Sequence, residues 1–294
     1  MVMASFAADS LALGVHWIYD STRIEKEFGR VETFLKPKEG SYHSARGRGE
    51  FTHYGDQAFV LLESIASLKK FDPLDFAKRW MELFDDYDGY YDHATKTTLR
   101  NISQGKDPLE AGSSSEDLAG ASRLAPLLLC CRDNLDALVD AARTQTKITH
   151  NHPMVMDSAE FFARVSWTVL KGQSPINAME EVTGQHFRNS PLAKWVADGI
   201  ASKEMESIPT IVRFGQTCHY GDAFPGVVHL IAKYEDNLKE ALVQAVMAGG
   251  DSAGRGMIVG MVLGAHLGGE GLPEHWMTDL SKSQEIIRHL DAIS

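Results

Sequence analysis

Apolar residues recur along this chain at three- and four-residue steps almost throughout. Ala58, Leu61, Leu62, Ile65 and Leu68 mark one such stripe, and Phe76, Trp80, Leu83 and Phe84 mark another. Stripes of the same period cover 117–131, 134–147, 154–172, 175–185, 192–202, 223–234, 238–249, 253–267 and 283–292. Such steps return to the same side of an α-helix, so each stripe predicts a helix with one buried face. Start signals agree. Asp72-Pro73, Asp133-Asn134, Ser174-Pro175 and Ser190-Pro191 each put a capping side chain ahead of a proline or a first turn. No alternating apolar–polar run extends beyond a few residues. The expected architecture is all-α, with ten to thirteen helices on short links, as a single domain over residues 1–294.

One link is an exception. Residues 29–55 hold Gly29, Pro37, Gly40, Gly47, Gly49 and Gly55 and few periodic apolar positions. A loop of that length in a compact domain is more often functional than idle. Gly112-Ser113-Ser114-Ser115 reads as a short loop. The string His-Tyr-Gly-Asp occurs at 53–56 and again at 219–222, both times ahead of a helical pattern, so Asp56 and Asp222 are candidate N-caps.

Charge narrows the partners. The chain has 29 basic and 40 acidic residues, a net charge of −11, which repels nucleic acid and anionic membranes over most of the surface. The longest apolar stretch, near Met257–Leu267, falls well short of the ~20 residues that span a bilayer. Met1 to Ala8 lacks the basic region of an export signal, and Asp9 interrupts the apolar run. Three cysteines, two of them adjacent in an apolar run, are thiols used as small apolar residues. A cytoplasmic protein is expected.

Three segments carry candidate chemistry. In Gly249-Gly250-Asp251-Ser252-Ala253-Gly254-Arg255-Gly256, a helix runs into two glycines and the next begins at a carboxylate and a hydroxyl. That next helix is apolar, with Gly256, Gly260 and Gly264 forming a flat stripe that lets another backbone come close. Arg255, one turn after Asp251, needs a carboxylate or phosphate partner if buried. In Arg46-Gly47-Arg48-Gly49-Glu50-Phe51-Thr52-His53-Tyr54-Gly55-Asp56-Gln57, two arginines among glycines can wrap a phosphate, and Asp56 is a cap or a site carboxylate. In Thr149-His150-Asn151-His152-Pro153, two histidines can ligate a metal, although no Cys or further His stands near them. Asp9 is an acid inside an apolar helical start. No phosphate-binding Walker loop, dinucleotide glycine fingerprint, nucleophile elbow or zinc-ligand spacing occurs.

Taken together, these residues resemble the ADP-ribosylglycohydrolase family. Ala8 to Gly14 is similar to its opening Gly-Asp-Ala-Leu-Gly-like helix. Gly120-Ala121-Ser122-Arg123-Leu124-Ala125-Pro126 resembles its central stretch ending in Arg-x-x-Pro. Thr149-His150 resembles its Thr-His segment, and Gly249 to Gly264 follows its closing Gly-Gly-Asp-Thr-Asp-Thr-Thr and Gly-spaced helix. The match runs from Met3 to about Gly268. Val15 to Asp20 and the His-Tyr-Gly-Asp string resemble a branch that includes jellyfish lens crystallins. The resemblance implies an all-α fold and cleavage of a ribosyl N- or O-glycosidic bond. It also implies two divalent cations held by an early Thr-Asp-Asp motif and a late Asp-x-Asp-Thr motif. Two close cations demand several carboxylates, and an oxocarbenium-like state needs an acid or base and a polarised water.

This chain departs from that pattern. Ala253 stands at the second Asp of the late motif and Gly254 at its Thr. Aligned on Gln57, the early motif keeps neither Asp; slipped by one, Asp56 is the second. At most one carboxylate remains at each end, so two dications would be under-neutralised. The resemblance implies magnesium or manganese, and a metal-free site is the alternative. The expected function is hydrolysis, or binding only, of an ADP-ribosyl-type ligand; the alternative is a non-catalytic crystallin-like protein on the same fold. Asp56 and Asp251 are the expected catalytic residues. Asp9, Arg46, Arg48, His150, Ser252 and Arg255 are expected to bind substrate, with Asp56, Asp251 and Ser252 at any metal. Arg255 is expected to bridge Asp251 in place of the missing cations.

Overall fold

A computed structural model describes residues 1–269 and 271–293. Among them sixteen α-helices follow one another. The first eight are α1 (Val2–Leu13), α2 (Ser21–Phe28), α3 (His53–Leu68), α4 (Pro73–Leu83), α5 (His93–Ser103), α6 (Leu127–Cys130), α7 (Leu135–Thr149) and α8 (Pro153–Leu170). The rest are α9 (Pro175–Val182), α10 (Pro191–Ala201), α11 (Ser207–Phe214), α12 (Tyr220–Lys233), α13 (Leu238–Met247), α14 (Ser252–Leu267), α15 (Glu274–Asp279) and α16 (Ser283–Ile293). A 3-10 turn, Leu118–Ala121, precedes α6, and a π-helical turn, Thr183–Phe187, follows α9. No sheet forms among the described residues. The extended pairings are two isolated bridges, Ser113 with His150 and Asp117 with His219. No described helix is long and apolar enough to cross a membrane.

The expected starts hold. Asp72, Asn134, Ser174 and Ser190 cap α4, α7, α9 and α10, each side chain accepting a first-turn backbone N–H. The helix count exceeds the expected range because α2, α11 and α15 are only six to eight residues long and α5 has little apolar pattern to be read. α5 buries only Ala94, Thr95 and Thr98. The stripe over 117–131 fails in the opposite sense. Pro126 has no amide to donate, and the run breaks into the 3-10 turn and the single turn of α6. Asp56 and Asp222 are not N-caps. Thr52 and His219 cap α3 and α12, and the two aspartates lie within the first turns. The long loop accordingly ends at Thr52.

The buried apolar side chains form one contiguous cluster with α14 inside it. Every residue from Ser252 to Gly264 is buried, packed against α1, α8, α12 and α13. Its glycine stripe meets α1 running the opposite way. Gly256 lies by Ala8, and a β-carbon on Gly260 would stand 2.6 Å from the Ala4 carbonyl oxygen. This contact sets the N-terminus of α14, with Asp251 and Ser252, at the end of a buried helix pair.

Candidate functional site

The starts of several helices converge with the end of α7. Asp92 caps α5, its Oδ1 accepting from Thr95 N at 2.6 Å. Asp117 caps the 3-10 turn, its Oδ1 accepting from Ala119 N at 2.8 Å. Asp251 stands at the N-cap of α14 and makes no capping bond. His150 follows the last residue of α7. Residues 113–118 lace these segments together. On one side Ser113 N donates to Thr149 O at 3.0 Å and Asn151 N donates to Ser113 O at 2.7 Å. On the other, Leu118 N donates to Cys218 O at 2.8 Å and Tyr220 N to Glu116 O at 2.9 Å. Ligand atoms of Asp92, Asp117 and His150 therefore lie within 4.8 Å of one another.

Aromatic and imidazole rings surround this acidic centre. The Tyr54 hydroxyl donates to Asp117 Oδ2 at 3.4 Å. His53 Nε2 is 3.5 Å from Asp92 Oδ2, and His43 Nε2 is 3.3 Å from His53 Nδ1. His16 Nε2 is 3.5 Å from Asp251 Oδ1. Trp17 and Tyr90 pack against His43 and His53. Trp17 adopts a positive φ of 65°, and its N–H donates to Gly250 O at 2.9 Å. That bond holds the aromatic wall to the turn before α14.

Burial governs the charges. It pushes the Asp117 carboxyl well above its ordinary range, with the Asp251 and Asp92 charges adding to the rise. It lifts Asp251 to about 6, against the pull of Arg255 and His53. Burial is the largest influence on Asp92 and works to raise it, but the His53 ring, His150 and the Thr95 bond together outweigh it and hold that carboxyl well below its ordinary range. His150 and His43 are each pushed down to about 3, chiefly by burial, and are neutral near pH 7. Several buried polar atoms here have no hydrogen-bond partner: Asp251 Oδ1, Ser252 Oγ and the Nε2 atoms of His16, His53 and His150.

The residues singled out in the sequence divide into two groups. Asp251, Ser252 and His150 belong to the cluster. Asp9 does not. Its carboxylate accepts from Thr52 N at 2.7 Å and Thr52 Oγ1 at 2.6 Å and ties α1 to α3. Asp56 accepts from Arg46 Nη2 at 2.8 Å and the Tyr87 hydroxyl at 2.7 Å. Arg46 also pairs with Asp88, and Arg48 pairs with Asp279. Both arginines expected at a phosphate are thus engaged by carboxylates. Of the histidine pair, only His150 enters the cluster; His152 faces Glu116 at 3.8 Å.

The expected Arg255–Asp251 bridge is absent. Arg255 Nη2 donates to Ala245 O at 2.9 Å and Gly249 O at 2.5 Å. Among the described residues it has no ion-pair partner. The reason lies in the turn. Gly249 and Gly250 have φ of 70° and 65°, which brings carbonyls at the end of α13 over the guanidinium, where a cation completes a helix C-terminus.

The two cations implied by the resemblance do not fit the residues named for them. Asp56 and Asp251 sit in separate hydrogen-bond networks, and Ala253 and Gly254 supply no donor. Thr52 is the cap of α3, so the two positions that face the cluster are His53 and Tyr54. Neither of these two positions is a carboxylate. Reasoning from sequence missed Asp92, Asp117, His43 and His53. The usable signals were the caps Asp92-x-x-Thr95 and Asp117 before Leu118, which were obscured by the unread helix α5 and the misread stripe over 117–131.

Comparison with known proteins follows the same line. Residues 1–293 match the family model described as ADP-ribosylglycohydrolase. Crystallin J1A of Tripedalia cystophora is 22% identical over 310 aligned positions, covering 100% of this chain and 94% of that relative. An uncharacterized protein of Archaeoglobus fulgidus is 26% identical, covering 98% and 92%. The ADP-ribosyl-(dinitrogen reductase) glycohydrolase of Rhodospirillum rubrum is 26% identical over 181 positions, covering 59% and 54%. A solved structure titled ADP-ribosylglycohydrolase-related protein complex shares the fold, with a TM-score of 0.77, 20% identity, and 99% and 94% coverage.

Proposed function

Because the chain belongs to the ADP-ribosylglycohydrolase family, we propose that its cluster binds the ribosyl ring of an ADP-ribose-like ligand and cleaves the N- or O-glycosidic bond at that ring. The observation that carries this reading is the set of partnerless buried atoms on Asp251, Ser252, His16 and His53. Leaving buried polar groups unmade costs about 1–3 kcal/mol each, and a ring bearing several hydroxyls can satisfy them. Asp251 is the reacting carboxylate: it faces the positive charge that develops on the sugar and orients the attacking water. Ser252 and the rings of His16 and His53 hold the hydroxyls, and Trp17 with Tyr90 offers a flat wall for a planar ring. Asp9, Asp56, Arg46, Arg48 and Arg255 hold the scaffold of this site.

A second reading, binding without turnover, is favoured by Ala253 and Gly254, which offer no ligand atoms where the resemblance implies an Asp and a Thr. One experiment separates the two. ADP-ribose is titrated calorimetrically into the protein, and release of ADP-ribose from an ADP-ribosylated peptide is followed with and without divalent cations. Binding with release supports hydrolysis, binding alone supports the second reading, and no binding overturns both. The same proposal takes the whole chain as one domain, for which a single calorimetric unfolding transition is expected. It also takes the protein as cytoplasmic, in keeping with its unpaired thiols.

A further inference from the structure

We propose that Asp92, Asp117 and His150 hold one divalent transition-metal ion, of the zinc type rather than magnesium. None of the three belongs to the early or late motif to which the family resemblance assigns metal ligands.

Convergence is the first ground. Two carboxylates and an imidazole present ligand atoms within 4.8 Å of one another, and all three side chains are buried. The orientation of His150 is the second. Its Nδ1 is 2.8 Å from Thr149 Oγ1, which in turn accepts from Arg123 Nη2 at 2.6 Å. The ring is held through one nitrogen, and the other, Nε2, is buried without a partner. Metal-bound histidines are commonly fixed in this way through the nitrogen that does not bind the metal. Each carboxylate is fixed similarly, through one oxygen on a helix-start amide; beyond that, Asp92 Oδ2 has the longer contact to His53, and Asp117 has the longer contact from Tyr54 and the Cys218 thiol beside it.

Charge is the third ground. Neither acid pairs with a lysine or arginine among the described residues. Arg123 gives its donors to Gln57, Gln145 and Thr149, and Arg255 to backbone carbonyls. Asp92 has only the His53 ring at 3.5 Å and Asp117 has no ion-pair partner among the described residues, and a buried carboxylate without a full cationic partner is costly. The donor types choose the ion. Magnesium prefers six oxygens and keeps its waters, whereas an imidazole with two carboxylates suits zinc and its neighbours. Three protein ligands also leave a coordination position open.

The test uses the full chain, stripped with a chelator, and the metals alone. No sugar ligand is present, so its failure and the failure of the ribosyl reading are separate events. Calorimetric titration is expected to show one equivalent of Zn2+ bound at least 100-fold more tightly than Mg2+. His150→Gln and Asp117→Asn are expected to weaken Zn2+ at least tenfold, and His152→Gln to leave it unchanged. Zinc-edge X-ray absorption of the unmutated protein is expected to show one imidazole among light-atom ligands, a readout that holds if a variant does not fold. The proposal is overturned by a lack of saturable Zn2+ binding, by two equivalents with magnesium preferred, by folded variants that bind normally, or by a zinc shell without imidazole.

Discussion

Two helix starts that look alike in sequence, those of α3 and α14, behave in opposite ways. Each combines glycines, an acid and an arginine. Around Asp9 and Asp56 at α3, every charged group has at least one partner, and among their buried atoms only Arg46 Nε is left unmatched. Asp9 takes two bonds from Thr52, Asp56 takes Arg46 and Tyr87, Arg48 takes Asp279, and Glu50 accepts from Gly47 N at 2.6 Å. At α14, Asp251 Oδ1 and Ser252 Oγ have no partner, and Arg255 leaves Nε and Nη1 unmatched. A closed polar network supports the fold. An open one costs stability and is retained where something binds to it. Removing a group should therefore harm the fold at the first start and the ligand at the second.

The largest expected effect tests the closed start. Burial lifts Asp9 to about 7, against the Thr52 bonds that pull it down. A carboxyl raised in the fold binds its proton more tightly there than in the unfolded chain. Its contribution is full below its unfolded pKa of about 3.9 and is lost as pH rises through about 7. Asp9→Asn should remove that slope. Between pH 4 and pH 8 the unmutated protein should lose on the order of 4 kcal/mol relative to the variant. Urea unfolding of both proteins at the two pH values measures it, and a difference that does not change with pH refutes it.

Next in size is Gly55→Ala. A β-carbon there would lie 2.4 Å from Asp9 Oδ2 and 2.8 Å from Phe51 Cβ, so the closed start has no room for a methyl group. A loss of about 1–3 kcal/mol in urea unfolding is expected, with a silent substitution counting against the closed picture.

How much of this was readable from the sequence follows from the same contrast. Stripe periodicity reveals long helices and core faces, and it placed α3, α8, α13 and α14. It also found Asp251, Ser252 and His150, because a glycine pair or a Thr-His segment marks them locally. It could not tell that Asp9 and Asp56 are satisfied, since Thr52 lies 43 residues from Asp9 and Tyr87 lies 31 from Asp56. It missed Asp92 and Asp117, whose meeting depends on two bridges between segments far apart in the chain. Arg255 shows the limit most plainly. Helical spacing alone puts it beside Asp251, but the Gly249–Gly250 turn offers carbonyls instead.

The smaller effects belong to the open start. Asp251→Asn removes a buried charge without a hydrogen bond at Oδ1. Stability should stay within about 1 kcal/mol of the unmutated protein or rise, while calorimetric ADP-ribose affinity falls at least tenfold. A stability loss above about 2 kcal/mol would mean that Asp251 is as architectural as Asp9. Ser252→Ala should be the mildest, within about 0.5 kcal/mol in urea, because its hydroxyl makes no bond to lose. Its mark should appear only in ligand affinity, and a larger change in stability than in binding would erase the contrast between the two starts.

The antiparallel fit of α14 on α1 also sets a schedule for making the protein. Leu13 ends α1 and Ser252 begins α14, so about 240 residues must be translated between them. At roughly 5–20 residues per second this takes about 12–48 s. Throughout that interval α1, of whose residues all but Met3 are buried in the finished fold, exists without the helix that covers it. α1 depends on a helix made about 240 residues later, and nascent chains should need its apolar surface shielded until α14 has emerged.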